Sequence, residues 1–273
     1  MKYAFFAIII AFTMQANAQQ HQLKKIWETD PVVATPESVL YDQNAGLLYV
    51  SLIDGGPLDV DGKGGIAKLS TDGKNYDSTW ITGLNAPKGL GIFNNRLYAA
   101  DLTEVVVIDV PEGKVEKKIA IPNSQMLNDI TVSDKGIVYV SDSRTGKVHR
   151  IENDIPTLYL ENLQGVNGLK AVGDLLYIGS GKSFVKADKN KQITTVAALP
   201  ESIDGIEPVG NGDFVLTSWV GVVYYVDASG KSETLLDTRK QKKNAADLGF
   251  DPVKKVVFIP TFLANSVAAY QLQ

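Results

Sequence analysis

Six segments that open with a turn and continue as alternating apolar and small residues recur along this chain. They are Glu37-Ser38-Val39-Leu40, Lys88-Gly89-Leu90-Gly91, Asn128-Asp129-Ile130-Thr131, Asn167-Gly168-Leu169-Lys170, Asp204-Gly205-Ile206-Glu207 and Ala246-Asp247-Leu248-Gly249, spaced 51, 40, 39, 37 and 42 residues apart. Each is followed by a second β-rich run, as at 47–51 or 175–179, and by a third, as at 105–109 or 222–226. A fourth run, as at 78–81 or 193–196, precedes each following repeat. Four short strands per repeat of about 40 residues is the pattern of a β-propeller blade. The chain is therefore expected to be all-β, a six-bladed propeller with four antiparallel strands per blade.

The sixth repeat ends at Gln273 with only three runs, and the segment at 22–27 precedes the first repeat and reads like the other fourth runs. The expectation is that this N-terminal strand completes the last blade, closing the ring so that no long edge stays open. Trp27 and Trp80 occupy similar contexts in two such runs.

At the extreme N-terminus, Lys2 precedes an apolar run at 3–12, followed by the small-x-small motif Ala16-Asn17-Ala18. This reads as a cleaved signal peptide at 1–18, with a mature single domain at 19–273. The run is too short for a membrane span, which needs about 20 apolar residues. The product is expected to be exported, periplasmic or secreted.

Composition excludes several chemistries. With no cysteine there is no disulfide framework, thiolate metal site or cysteine nucleophile. A net charge of -4 leaves no basic field for nucleic acid. The only histidines are His21 and His149, the latter in a third strand and expected at the surface. The sequence Gly181-Lys182-Ser183 imitates the end of a phosphate-binding loop, but Leu176 stands where its first glycine is required.

A propeller brings the residues that open its inner strands into a ring around the channel axis. Here they are Glu37, Lys88, Asn128, Asn167, Asp204 and Ala246, while two positions further on stand Val39, Leu90, Ile130, Leu169, Ile206 and Leu248. The apolar set is expected to pack between blades. In the polar set, two carboxylates and two amide carbonyls face one small volume, which is the donor chemistry of a hard divalent cation. Calcium is the first expectation, with magnesium, manganese or zinc as alternatives.

The order of Glu in Pro36-Glu37-Ser38-Val39, Asn in Leu127-Asn128-Asp129, Asn in Val166-Asn167-Gly168-Leu169 and Asp in Ile203-Asp204-Gly205 resembles the senescence-marker-protein, gluconolactonase and luciferin-regenerating-enzyme family. Diisopropyl-fluorophosphatase and paraoxonase propellers share the same four-ligand logic. The resemblance implies that Glu37, Asn167 and Asp204 bind a divalent metal and that Asn128 is a fourth ligand or a water and substrate contact. It further implies that Asp204 is the general base of a lactone or ester hydrolase, the metal polarising the carbonyl. The chain departs from the Glu-Gly-Pro turn of several lactonases, having Glu37-Ser38-Val39, and it places Lys88 in the ring. Lys88 is expected either to bind an anionic small-molecule substrate or to pair with Glu37.

The loops between second and third strands should lie on the same face as the ring. They contribute Asp54, Asp101, Asp142, Arg144, Lys182, Trp219 and Phe262, of which Asp142 and Trp219 are expected to contact substrate. Blade one also carries a glycine- and aspartate-rich insertion at 54–65, read as a flexible lid. The alternative function is a non-catalytic exported propeller that binds a small ligand or a protein partner.

Overall fold

The computed structural model describes residues 21–273, so the leader assigned to 1–18 lies outside the described residues. The described chain forms six sheets, each of four strands in which successive neighbours pair antiparallel. The inner strands are Pro36–Asp42, Pro87–Phe93, Leu127–Val132, Val166–Val172, Ile206–Gly210 and Gly249–Asp251. The protein is a six-bladed β-propeller.

The last blade is assembled from both ends of the described chain. The strand Leu23–Glu28 pairs antiparallel with Val267–Leu272, with Leu23 opposite Leu272 and Glu28 opposite Ala268. The closure expected for the segment at 22–27 is thus present, and the edge of the last C-terminal strand is covered. Trp27 and Trp80 do occupy matching places in two outer strands. Each ring lies against a glycine of the next blade, Gly73 under Trp27 and Gly113 under Trp80, where a Cβ would come within 2.7 and 3.0 Å.

Burial explains the six apolar positions. The core is divided into six main clusters, each shared by two adjacent blades, and Val39, Leu90, Ile130, Leu169, Ile206 and Leu248 each fall in a different one. Each is at most 4% exposed. Alternation along a strand sends one residue to either face of its blade, and both faces of every blade are covered by a neighbour. The strands in the middle of the blades, such as Glu104–Asp109, Val222–Val226 and Val256–Pro260, therefore read as near-continuous apolar runs, whereas outer strands such as Lys114–Ala120 are largely exposed.

The inner strands are not regular where the ring residues stand. Pairing with the second strand shifts between Pro36 and Val39, Pro87 and Leu90, Leu127 and Ile130, and Val166 and Leu169. Two residues in each of these four blades are thereby lifted out of the ladder. Such a bulge re-aims side chains and is common beside functional sites. The amides it frees in blades one and three find partners in the second strand, for Ser38 N–H donates to Ser51 Oγ and Asp129 N–H to Ser141 Oγ, both at 2.9 Å, and in blade five Gly205 N–H donates likewise to Thr217 Oγ1 at 2.8 Å. In blades five and six the inner strands begin later, so Asp204 and Ala246 precede the strand rather than open it.

Candidate active site at the channel mouth

The bulges bring Glu37, Lys88 and Asn128 into the buried mouth of the channel at 6, 4 and 8% exposure, and Asp204 joins them at 2%. Three of their oxygens, Glu37 Oε2, Asn128 Oδ1 and Asp204 Oδ2, are buried without a hydrogen-bond partner. The other carboxylate oxygen of Asp204 accepts from Asn167 Nδ2 at 2.5 Å, and Asn128 Nδ2 donates to Ser143 Oγ at 3.1 Å.

Burial without counter-charge dominates the electrostatics. Desolvation, then the charges of Asp204 and Asp247, hold the Glu37 carboxyl well above its ordinary range, against which Lys88 acts in the opposite direction. Asp204 is pushed up to about 8 by burial and by Asp247, opposed by the Asn167 hydrogen bond. A cation among these groups would oppose both shifts by favouring the ionised carboxylates.

The residues present fit a hard divalent cation on the ground of those three orphaned oxygens. Glu37, Asn128 and Asp204 already present unpartnered oxygen atoms. Asn167 turns its amide nitrogen toward Asp204, so ligation through its carbonyl requires a half-turn of the amide. Among the described residues no three His, Asp or Glu side chains are grouped so as to hold a metal ion. The donor set is two carboxylates and two amides.

A second tier, not singled out by the sequence reading, lies one residue further along each inner segment. Ala246 contributes no polar group to the ring, but the adjacent Asp247 accepts from Ser38 Oγ at 2.5 Å, and its carboxyl is pushed up to about 7, chiefly by burial. Asp129 accepts from Leu169 N–H at 2.5 Å and from Ile130 N–H at 2.6 Å, and burial raises it well above its ordinary range. Asp129 thus links blade three to blade four, and Asp247 links blade six to blade one. The legible signal was the glycines: a Cβ on Gly89 would lie 2.5 Å from Asp129 Oδ1, and one on Gly205 would lie 2.5 Å from Asp247 Oδ1. Ser218, at the mouth end of a second strand, also has a buried unpartnered hydroxyl, for which no sequence signal exists. Three positions after Asn167 and Asp204, Lys170 and Glu207 form an ion pair at 2.7 Å.

Lys88 does not pair with Glu37 within ion-pair distance. Its ammonium donates to the carbonyls of Ala86 at 2.9 Å and Pro57 at 3.0 Å, leaving one of its three donors for the mouth. The blade-one insertion, expected as a free lid, is therefore tied to the ring through Pro57.

Asp142 departs from its expected role at the substrate surface. It is wholly buried, and its oxygens accept from the amides of Gln125 at 3.0 Å and Met126 at 3.1 Å. Asp101 does the same for Asn85 and Ala86, at 3.0 and 2.8 Å. Both residues clasp the loop that enters their own inner strand. His149 likewise differs from its expected surface position, being only 6% exposed, with burial holding its imidazole below its ordinary pKa. Trp219 stands on the rim at 44% exposure, edge-to-face with Phe262 at 5.5 Å between ring centroids.

The fold and mouth define a six-bladed propeller with a buried, carboxylate-rich channel entrance. No protein-family model matches the chain, and no curated protein matches its sequence. Among solved structures it is similar to a catalytically inactive virginiamycin B lyase from Staphylococcus aureus with quinupristin, at 14% identity and a TM-score of 0.64, covering 92% of this chain and 99% of that one. It is also similar to a protein of unknown function from Bacteroides thetaiotaomicron, at 12% identity and a TM-score of 0.69, covering 93% of this chain and 76% of that one. At these identities the likeness is one of fold.

Proposed function

We propose that the mouth is the active site of a divalent-metal-dependent hydrolase acting on a lactone or related ester. The observation that carries this reading is the set of three buried, unpartnered oxygens on Glu37, Asn128 and Asp204. Buried polar atoms are nearly always satisfied, and an orphaned group calls for an explanation such as an ion. Glu37, Asn128 and Asp204, with Asn167 after rotation of its amide, would hold the cation, calcium foremost. When bound, the ion supplies Lewis-acid polarisation of the ester carbonyl.

The remaining chemistry belongs to the chain. Asp204 orients the attacking water and takes its proton while the water oxygen bonds to the carbonyl carbon. Collapse of the tetrahedral centre breaks the bond to the ring oxygen, which takes the proton held by Asp204 and leaves as a hydroxyl. The product is a hydroxy acid, whose new carboxylate meets the free donor of Lys88. Before the cation binds, Asn167 holds the Asp204 carboxylate through its amide nitrogen, and rotation of that amide on ligation frees the Asp204 oxygen for the water. The motif resemblance to the senescence-marker and gluconolactonase family supports the same assignment. The leader at 1–18 supports work outside the cytoplasm, where millimolar calcium would load even a weak site.

The alternative, a non-catalytic propeller that binds a small ligand or partner, draws support from Asn167, whose amide nitrogen and not its carbonyl is turned toward Asp204. The two readings separate in a pH-stat assay of a lactone panel. Metal-stripped protein would be compared with protein restored with Ca²⁺, Mg²⁺, Mn²⁺ or Zn²⁺, beside Asp204→Asn. Metal-dependent turnover that disappears in Asp204→Asn supports the hydrolase. No turnover, with no metal-induced rise in melting temperature, leaves the binding propeller.

A further inference from the structure

We infer that the arc of the mouth formed by blades five, six and one is an apolar substrate wall, and that the preferred substrate carries an aliphatic or aryl substituent rather than a polyhydroxylated one. This inference rests on the proposed hydrolase for its reacting group, and its new content is the part of the substrate that lies away from that group.

The wall begins with two aromatic residues from separate blades. Trp219 follows the second strand of blade five, and Phe262 opens a single 3-10 turn after the second strand of blade six. Their edge-to-face contact is secured beneath by Asn244, which is 9% exposed. Its Nδ2 donates to the Trp219 carbonyl at 2.8 Å, and its Oδ1 accepts from Leu263 N–H at 3.3 Å. One buried amide thus pins both aromatic loops in register.

Phe262 has a φ of 47°, in the left-handed region that a bulky side chain rarely adopts. Such a conformation persists where surrounding contacts over-determine it, and it gathers at ligand-binding sites. Here the contacts are Trp219 on one side and, across the mouth, the buried group Ile53, Ala86 and Leu102 from blades one and two. The strained backbone therefore holds the ring against residues of blades five, one and two.

The wall is left open to solvent. Trp219, Val220 and Leu263 are 44, 41 and 66% exposed, and Val60, in the insertion that Lys88 ties to the ring, is 81% exposed. Large apolar side chains gathered on the rim of a concavity mark a binding surface. The unpartnered oxygens of Glu37, Asn128 and Asp204 are buried in the same mouth. Apolar at the rim and polar within is the complement of an ester or lactone whose reacting end is polar and whose substituent is not. A sugar lactone would leave its hydroxyls against Trp219, Phe262 and Leu263 without hydrogen-bond partners.

The test measures binding and hydrolysis separately. Butanamide, hexanamide and octanamide, which keep the carbonyl but resist hydrolysis, are titrated against Trp219 fluorescence, taken as the difference between wild type and Trp219→Phe. The expected result is a dissociation constant falling two- to fourfold per added methylene, the scale of burying one CH₂. Trp219→Ala and Leu263→Ser, both at exposed positions, should flatten that slope when the same amides are followed calorimetrically. In the pH-stat assay kcat/KM should rise from γ-butyrolactone to γ-octalactone by at least tenfold and favour both over gluconolactone. No chain-length dependence in the amide series, or an undiminished slope in Trp219→Ala, would overturn the inference. So would concentration-dependent dimerisation abolished by Trp219→Ala, which would put a second copy of the chain on the wall. A normal amide slope with no hydrolysis of any lactone would retire the hydrolase and leave the apolar ligand site standing. Hydrolysis with a flat slope would do the reverse.

Discussion

Asp129 fills the space that Gly89 leaves. A Cβ built on Gly89 would lie 2.5 Å from the Asp129 Cα as well as from its Oδ1. The contact couples blade two to blade three at the channel, and the same pairing recurs between Gly205 and Asp247.

Gly89→Ala should therefore destabilise the propeller. The added methyl meets main chain, which cannot swing away, and overpacking of this kind costs about 1–3 kcal/mol. Urea denaturation of the metal-free protein checks this. An unchanged midpoint would mean that the two blades can move apart without loss.

Glu37→Gln should raise the stability of the metal-free protein and remove its response to calcium. Burial and the charges of Asp204 and Asp247 disfavour the Glu37 carboxylate, so a neutral isostere relieves the cluster. The gain is the cost of keeping a buried carboxyl protonated near neutral pH, which the amide does not incur. Calorimetry with and without Ca²⁺ reads both effects. A Ca²⁺-induced rise in melting temperature that survives the substitution would remove Glu37 from the ligand set.

The metal-free protein should lose stability as pH rises. Asp204 and Asp247 have folded-state values of about 8 and about 7 against an ordinary 3.8. Between those values the folded state keeps protons that the unfolded chain has released. The stabilising contribution is thus fully present below the ordinary value and is lost as pH climbs through the folded values. Denaturation in chelator across that range should show a falling midpoint. Calcium, which takes the place of those protons, should stabilise more strongly at the upper end than at the lower. A flat or rising midpoint without metal would show that these carboxyls are already ionised in the folded state.

Deleting the strand Leu23–Glu28 should open the ring and drive association. The deletion exposes the backbone of Val267–Leu272 as an unpaired edge and removes Trp27 from the cluster shared by blades six and one. It also removes Glu28, which accepts from Ser266 Oγ at 2.8 Å and pairs with Lys243 and Lys25. Size-exclusion chromatography of the truncated chain should show dimers or aggregates. A well-behaved monomer of unchanged melting temperature would mean that three strands suffice for the last blade.

The architecture was legible before any coordinates. The period of about 40 residues, the four runs per repeat and the displaced outer strand are local patterns, and each blade buries its apolar residues against its neighbour whatever the details of the channel. The ring positions of Glu37, Asn128 and Asp204 were legible for the same reason, since equivalent residues of equivalent repeats must converge on the axis. Tertiary structure decided which groups these residues meet. Asp247, one residue beyond Ala246, supplies blade six's polar group to the second tier because Ser38 of blade one stands within hydrogen-bond reach of it. Asp129 reaches Leu169 because the bulge in its own strand and Gly89 in the preceding blade make room. Asp142 turns inward to clasp a loop, and Phe262 crosses the mouth to blades one and two. These outcomes depend on separations of a few ångströms between blades distant in sequence. Such separations are set by how the six cores pack, and no local pattern of residues encodes them.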